Sequence, residues 1–389
     1  MNEAQIADTV AWLIDGARSA PEARDVLDAL CRRLVEAGMP LWRVAVYVRT
    51  LHPHVVARRF VWRADAPVEV AEASYALLDS DEYRTSPVPD VYQRGAIIRR
   101  RLADPACAID YPVLTDFRAQ GITDYLAVPL VFTDGETHAA TWTTCAPGGF
   151  TVAQIAALNS ITRPLARVAE VRALRRTATN LLDTYVGRRS GARILAGHVQ
   201  RGDVETIEAA FWYSDLRDFT MLNETLPAAD LLALLNDYFG AVTSVATAHG
   251  GEVLQFIGDA ALVIFPIGED GRRGACRAAL AAARDALSAI DAVNQTRAEA
   301  AKPIIRFGIG LHVGTVSWGN VGGVDRLGIN VVGPAVNRTA RIESLTKQVG
   351  LPLLLSEDFA AALDVTTRPV GRFTLKGVPE PQTVYAIEG

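Results

Sequence analysis

Apolar and polar positions in the first 150 residues alternate first at helical spacing and then at strand spacing. Val26, Leu27, Leu30, Leu34 and Val35 mark one helical face, and Gly38 closes it. The segments RVAVYVR (43–49) and VVARRFVW (55–62) then read as strands. A polar, proline-bearing stretch follows from about 64 to 120, and DYLAVPLVF and THAATWTT form a strand pair around the turn TDGE. Thr151 and Gln154 have the spacing of a capping box, so a helix starts there. It continues past Pro164, with a kink expected at that residue, into LARVAEVRALRRTATNLLDTYVG. In this tail Leu174, Ala178, Leu181 and Tyr185 follow a spacing of four, three and four. That spacing suits either a short coiled-coil seam or a helix packed on its own domain.

From about residue 203 the pattern changes. TIEAAFWYSD reads as a strand ending in Asp215, and AADLLALLNDYFGAVTSVATAHGG as an amphipathic helix stopped by Gly250 and Gly251. EVLQFI and AALVIF form a hairpin, an Ala-rich helix spans roughly 271–296, and IIRFGIGLHVG is a strand. The order is β-α-β-β-α-β. In such a sheet the first crossover makes strands one and two parallel, and the third returns antiparallel between them. The turn joining strands two and three therefore lies beside the C-terminal end of strand one.

This geometry gives a meaning to VLQFIGDAALVIF (253–265), an apolar run broken only by Gly258 and Asp259. Taken alone, Gly258-Asp259 is a tight hairpin turn. Taken with Asp215, it brings two carboxylates to one sheet edge, where they repel unless a cation or a shared proton intervenes. A carboxylate pair plus substrate phosphates is the expected ligand set of Mg²⁺.

Composition narrows the field. The chain has 389 residues, 50% hydrophobic and 21% charged, as expected for a globular protein of two or three domains. A net charge of -5 argues against a nucleic-acid-binding body. Cys31, Cys107, Cys145 and Cys276 lie far apart, suggesting neither a zinc site nor a disulfide framework. The N-terminus MNEAQIADTVAWLIDGA lacks a basic n-region, and no apolar run approaches the roughly 20 residues that span a bilayer. A cytoplasmic setting without a membrane partner is the expectation. His312, in an apolar strand, reads as a core histidine, and His52 and His54 as polar loop residues.

FWYSDLRDFT and LQFIGDAALVIF, followed by VGPAVNRTARIES and FTLKGVPEPQTVYAI, resemble the catalytic domain of class III nucleotidyl cyclases, the adenylate and guanylate cyclases. The motifs run in family order from about 205 to 387. No P-loop is present, and the hairpin lacks the GG(D/E)EF sequence of diguanylate cyclases. The resemblance implies that Asp215 and Asp259 hold two Mg²⁺ or Mn²⁺ ions, with a backbone carbonyl from Leu216. One ion would help ionise the ribose 3′-hydroxyl for attack on the α-phosphorus, and the other would neutralise the triphosphate. Amides near Phe219 and Thr220 would bind phosphate. The family often has Gly where this chain has Asp218.

Asn337 and Arg341 lie four residues apart on a helix whose first turn holds Pro334, so they share a face. The resemblance implies that they orient the ribose and stabilise charge on the reacting phosphate, and that Lys376 binds phosphate. Adenylate cyclases usually pair a Lys with an Asp or Thr around the purine, and guanylate cyclases a Glu with a Cys. Here those positions are Gln255 and Asn330, amides that both donate and accept.

The N-terminal half resembles a GAF-type sensor domain in layout, implying a small-molecule or dimerisation role. The expected architecture is α+β: a GAF-like antiparallel-sheet domain over 1–165, a helical linker over 166–200, and a ferredoxin-like βαββαβ cyclase domain over 201–389. The function implied is a homodimeric adenylate cyclase making cyclic AMP from ATP. The alternatives are a guanylate or dual-specificity cyclase, or a catalytically dead nucleotide-binding module.

Overall fold

The computed structural model describes residues 1–324 and 326–388 and divides into two compact units, Met1–Leu181 and Leu182–Gly389. In the first unit α1 (Glu3–Ile14) and α2 (Ala23–Glu36) precede β1 (Arg43–Arg49), β2 (Ala57–Arg63) and β3 (Ala66–Ala73). Three short helices follow around a short strand: α3 (Asp81–Arg84), α4 (Val88–Arg94), β4 (Ile98–Arg100) and α5 (Pro112–Ala119). Then come β5 (Asp124–Val131), β6 (Thr137–Thr144) and the long α6 (Val152–Val186). The six strands form an antiparallel sheet in the order β3-β2-β1-β6-β5-β4.

Strand alternation sorts the side chains of this sheet. Leu126, Val128, Ala140 and Trp142 face the core built with α1, α2 and α6, while Tyr125, Ala127 and Ala139 face a second core with α4 and α5. The expected capping box is present: the Thr151 amide donates to Gln154 Oε1 at 2.9 Å and the Gln154 amide to Thr151 Oγ1 at 3.3 Å. Pro164 sits inside a continuous helix. The stretch 64–120, which carried no element in the sequence, holds β3, β4 and three helices of four to eight residues. Elements so short show too few periods of hydrophobicity to be read.

One buried carboxylate is locked into this unit. Asp124 is fully buried, receives Arg99 Nη2 at 2.6 Å and accepts from the Phe150 amide at 3.0 Å. Gly149, in the left-handed region at φ 75°, leaves the room for it, since a Cβ there would lie 2.6 Å from Asp124 Oδ2.

The second unit begins with α7 (Arg188–Leu195) and β7 (Val204–Leu216), then α8 (Phe219–Thr225) and α9 (Ala228–Ala248). β8 (Glu252–Ile257), β9 (Ala260–Pro266), α10 (Gly271–Glu299), β10 (Phe307–Gly322) and β11 (Leu327–Val332) follow. The last elements are α11 (Pro334–Val349), β12 (Leu353–Ser356), α12 (Glu357–Ala361), β13 (Thr367–Phe373) and β14 (Gln382–Ile387). The sheet order is β13-β14-β12-β10-β7-β9-β8, with β11 paired to β10. β9 is antiparallel to both β7 and β8. β7 and β8 are therefore parallel with β9 between them, as the β-α-β-β-α-β order requires.

Helices α9 and α10 cover one face, packing Tyr238, Val242 and Ala279 on Ala210, Trp212 and Val263. α9 has the length and hydropathy of a membrane span, unlike any run noted in the sequence, but its Leu231, Leu234, Tyr238, Val242 and Ala246 are buried in this core. α11 covers the other face at very close range. A Cβ on Gly310 would lie 2.5 Å from the Glu343 amide nitrogen, so only glycine lets the helix backbone approach that strand.

Candidate active site

Asp215 ends the long strand β7, and Asp259 stands in the two-residue turn between β8 and β9, after Gly258 at φ 65°. The topology carries both to one edge of the sheet, and the two side chains interact directly. Burial, then the hydrogen bond and charge of Asp259, push the Asp215 carboxyl up to about 7. A backbone hydrogen bond at Leu216 pulls weakly the other way. Asp215 Oδ1 is buried without any hydrogen-bond partner. An unpaired buried carboxylate oxygen beside a second carboxylate is costly unless something positive arrives.

A third carboxyl, absent from the sequence reading, completes the cluster. Glu343 lies on the buried side of α11, over Gly308, where a Cβ would come within 2.6 Å of Glu343 Oε1. Gly308 is the register partner of Asp215. Burial first, then the charge of Asp215, pushes the Glu343 carboxyl up to about 7. The signal available in the sequence was FGIGLHVG: glycines at alternate positions on one strand face make room for a helix, and the carboxyl above them is Glu343.

Helix geometry separates this acid from Asn337 and Arg341. At about 100° per residue, Thr339, Ile342, Glu343 and Thr346 share the buried face, and Asn337 and Arg341 fall on the opposite, exposed one. The Arg341 charge still bears on the Tyr213 hydroxyl. Arg341 makes no ion pair among the described residues. Gln255 sits in the row Gln255–Leu262–Tyr213–Gly310, on the sheet face that carries Asp215. Asn330 pairs with Gly319, eleven rungs along β10 from the Gly308 that faces Asp215. At roughly 3.3 Å per residue that is about 36 Å along the strand, so one chain does not bring Asn330 to Asp215. Neither Gln255 nor Asn330 commits its side-chain amide to a hydrogen bond among the described residues.

Phe219 and Thr220 open α8, whose first amides have no partner within the helix. Its cap is Asp218 at φ 60°, a left-handed conformation that explains why glycine suits the position. Asp218 holds it with ion pairs to Arg306 at 3.0 Å and Lys347 at 3.5 Å. Lys376 is exposed in the loop between β13 and β14, next to the buried Leu375. His312 is a core residue: it is 2% exposed, its Nδ1 lies 2.8 Å from Ser356 Oγ, and burial lowers it to about 4.

Among the described residues no group of three or more His, Cys, Asp or Glu is placed to hold a metal ion. Two adjacent carboxylates with an orphaned oxygen fit an open site, in which a hard cation completes its shell with phosphate and water.

Residues 203–389 match the family described as the adenylate and guanylate cyclase catalytic domain. Adenylate cyclase 1 of Rhizobium meliloti is 30% identical over 187 residues, covering 47% of this chain and 28% of that protein. The adenylate cyclase of Anabaena cylindrica is 34% identical over 200 residues, covering 49% and 39%. The crystal structure of the guanylyl cyclase Cya2 aligns with 31% identity and a TM-score of 0.42, covering 49% of this chain and 95% of that one. The chain thus spans less than half the length of these curated relatives, and the likeness lies in its C-terminal unit. In that unit, residues 203–389 are similar to the adenylate and guanylate cyclase catalytic domain.

Proposed function

We propose that the chain is an adenylate cyclase that converts ATP to 3′,5′-cyclic AMP and pyrophosphate at sites shared between two copies. The observation that carries the reading is the meeting of Asp215 and Asp259 with one buried oxygen unpaired. Asp215, Asp259 and the Leu216 carbonyl would hold two Mg²⁺ or Mn²⁺ ions. When bound, these supply charge neutralisation at the triphosphate and a lowered pKa at the ribose 3′-hydroxyl.

The residues divide the remaining work. The 3′-oxygen loses its proton and bonds to the α-phosphorus, while the bond from that phosphorus to the bridging oxygen of the β-phosphate breaks. Asn337 would orient the ribose, and Arg341 would hold the charge that gathers on the α-phosphate oxygens. Lys376 and the amides at Phe219 and Thr220 would grip the phosphates. Gln255 and Asn330 would face the purine.

Two features support sharing between copies. Asn337 and Arg341 project away from the sheet that carries the aspartates, and Asn330 lies far along the strand from Asp215. A second chain, docked head to tail, would bring one set to the other.

Residues 1–165 would act as a GAF-like sensor and 166–200 as a helical linker to the catalytic residues 201–389. ATP as substrate fits a cytoplasmic site of action. A guanylate or dual-specificity cyclase is the second reading, favoured by the two neutral amides, which select a base less firmly than charged groups do. Purified protein given Mg²⁺ or Mn²⁺ and either ATP or GTP, with cyclic products resolved, tests both. Formation of neither cyclic nucleotide would leave only a nucleotide-binding module.

A further inference from the structure

The N-terminal unit contains a cavity of about 630 Å³ between α2, α6 and the β1–β2 face of its sheet. Its floor is apolar, formed by Val46, Val48 and Phe60 from the strands and by Leu27, Leu165 and Val168 from the helices. The rim is cationic. Arg24, Arg58, Arg172, Arg175 and Arg176 line it together with Glu22, which pairs with Arg24 at 3.2 Å.

Several of these arginines are aimed by their elements. The β1–β2 register places Arg58 opposite Val48 and Phe60 opposite Val46, so the Arg58 guanidinium rises from the floor. Its Nη2 reaches Glu72 at 3.0 Å, but its Nε is buried with no partner. On α6 the lining residues Leu165, Val168, Arg172 and Arg176 recur three or four apart, running from apolar to cationic along one face. Arg172 is spent on the Ala20 and Pro21 carbonyls at 2.8 and 2.6 Å. Arg175 and Arg176 have no ion pair among the described residues.

We propose that this cavity, open to solvent along one side, binds a small organic anion with an apolar body, a straight-chain carboxylate of roughly ten or more carbons. The tail lies on the valine and phenylalanine floor, and the carboxylate meets the forked guanidinium groups of Arg58 and Arg176. A buried donor without a partner disfavours a purely apolar guest, and the positive rim disfavours a cation. A second copy of the chain is a poor occupant, because two such rims would face each other with like charge. The inference is independent of the reading of the C-terminal unit.

Titration calorimetry of the full chain tests it, with decanoate below its micellar concentration as the probe and decanol and decyltrimethylammonium as controls. The expected result is one decanoate per chain, decanol at least tenfold weaker, and no heat from the cation. Arg176→Gln, an exposed helix position, is expected to weaken decanoate at least fivefold, and Arg58→Gln to weaken it further. If Arg58→Gln fails to fold, Arg176→Gln alone still decides. Equal affinity for decanol, affinity unchanged by Arg176→Gln, or no binding of decanoate overturns the proposal. So does a change of sedimentation coefficient in Arg176→Gln without loss of decanoate affinity, which would make the face a contact between copies. Flotation with phosphatidylglycerol vesicles that is lost in Arg176→Gln, with no uptake of free decanoate, overturns it in favour of a lipid surface.

Discussion

Asp124 in the first unit and Asp215 in the second both sit on strands and both turn a carboxylate oxygen into the interior. Asp124 meets a guanidinium at 2.6 Å and a backbone amide at 3.0 Å. Asp215 meets Asp259, lies near the charge of Glu343, and keeps one buried oxygen unpaired. A buried charge with its counterion built in belongs to the fold, whereas one without it stores an unfavourable energy that a bound cation releases. The same residue type is thereby structural in one sheet and a functional candidate in the other.

The widest separation between the two is expected in activity. Asp259→Asn keeps a side chain suited to the turn but binds a hard cation poorly, so cyclic nucleotide formation should fall at least about 100-fold with the melting temperature nearly unchanged. Near-normal turnover in the folded variant would make Asp259 a turn residue only. Asp124→Asn should do the reverse. It removes the charge from the hydrogen bonds that hold the half-buried Arg99 and should cost about 1.5 to 3 kcal/mol of unfolding free energy in the first unit, with turnover per folded molecule little changed. Denaturant unfolding together with rate measurement checks both halves.

Mixing inactive chains probes where the second half of the site resides. Asp215→Ala and Arg341→Ala proteins, each inactive alone, should recover at most roughly a quarter of the parent activity once subunits exchange. No recovery despite demonstrated exchange would confine each site to one chain.

Acid separates the units more gently. Asp215 and Glu343 titrate near 7 in the folded state against 3.8 and 4.5 unfolded, so the folded unit holds extra protons between those values. Their contribution strengthens the second unit as pH falls from about 7 toward 4. Burial lowers His138 and His312 to about 4 from 6.5, so each weakens its own unit as pH falls through that window. The first unit, with His138 alone, should lose hydrogen-exchange protection on going from pH 7 to 4.5. In the second unit two carboxyls oppose His312, and protection should hold. Equal loss in both units would contradict the assignment. The smallest effect concerns the base: Gln255→Lys should shift the ATP-to-GTP ratio of kcat/KM severalfold toward ATP, and a shift toward GTP would show that Gln255 does not face the purine.

Much of this was legible in the sequence, for specific reasons. The run VLQFIGDAALVIF announced a hairpin, and the parallel course of the first two strands, with the third returning between them, placed its turn beside Asp215. Thr151 and Gln154 fixed the start of α6 by their spacing. Glu343 escaped because ARIES on a helix reads as a solvated acid, and its burial depends on the closeness of α11 to Gly308 and Gly310. α8 escaped because seven residues behind a left-handed Asp218 carry no periodicity. The arginine side chains of the N-terminal cavity, Arg24, Arg58, Arg172, Arg175 and Arg176, come from α2, β2 and α6, so no local pattern collects them.

The thirteen-rung ladder between β7 and β10 also bears on dosage. With Asp215 at one end of it and Asn330 paired beyond the other, an isolated chain would, if the sites are shared as proposed, be two unmatched halves. Below the concentration at which chains pair, output would then rise with the square of the number of chains made. Doubling expression would quadruple the output, and halving it would leave a quarter.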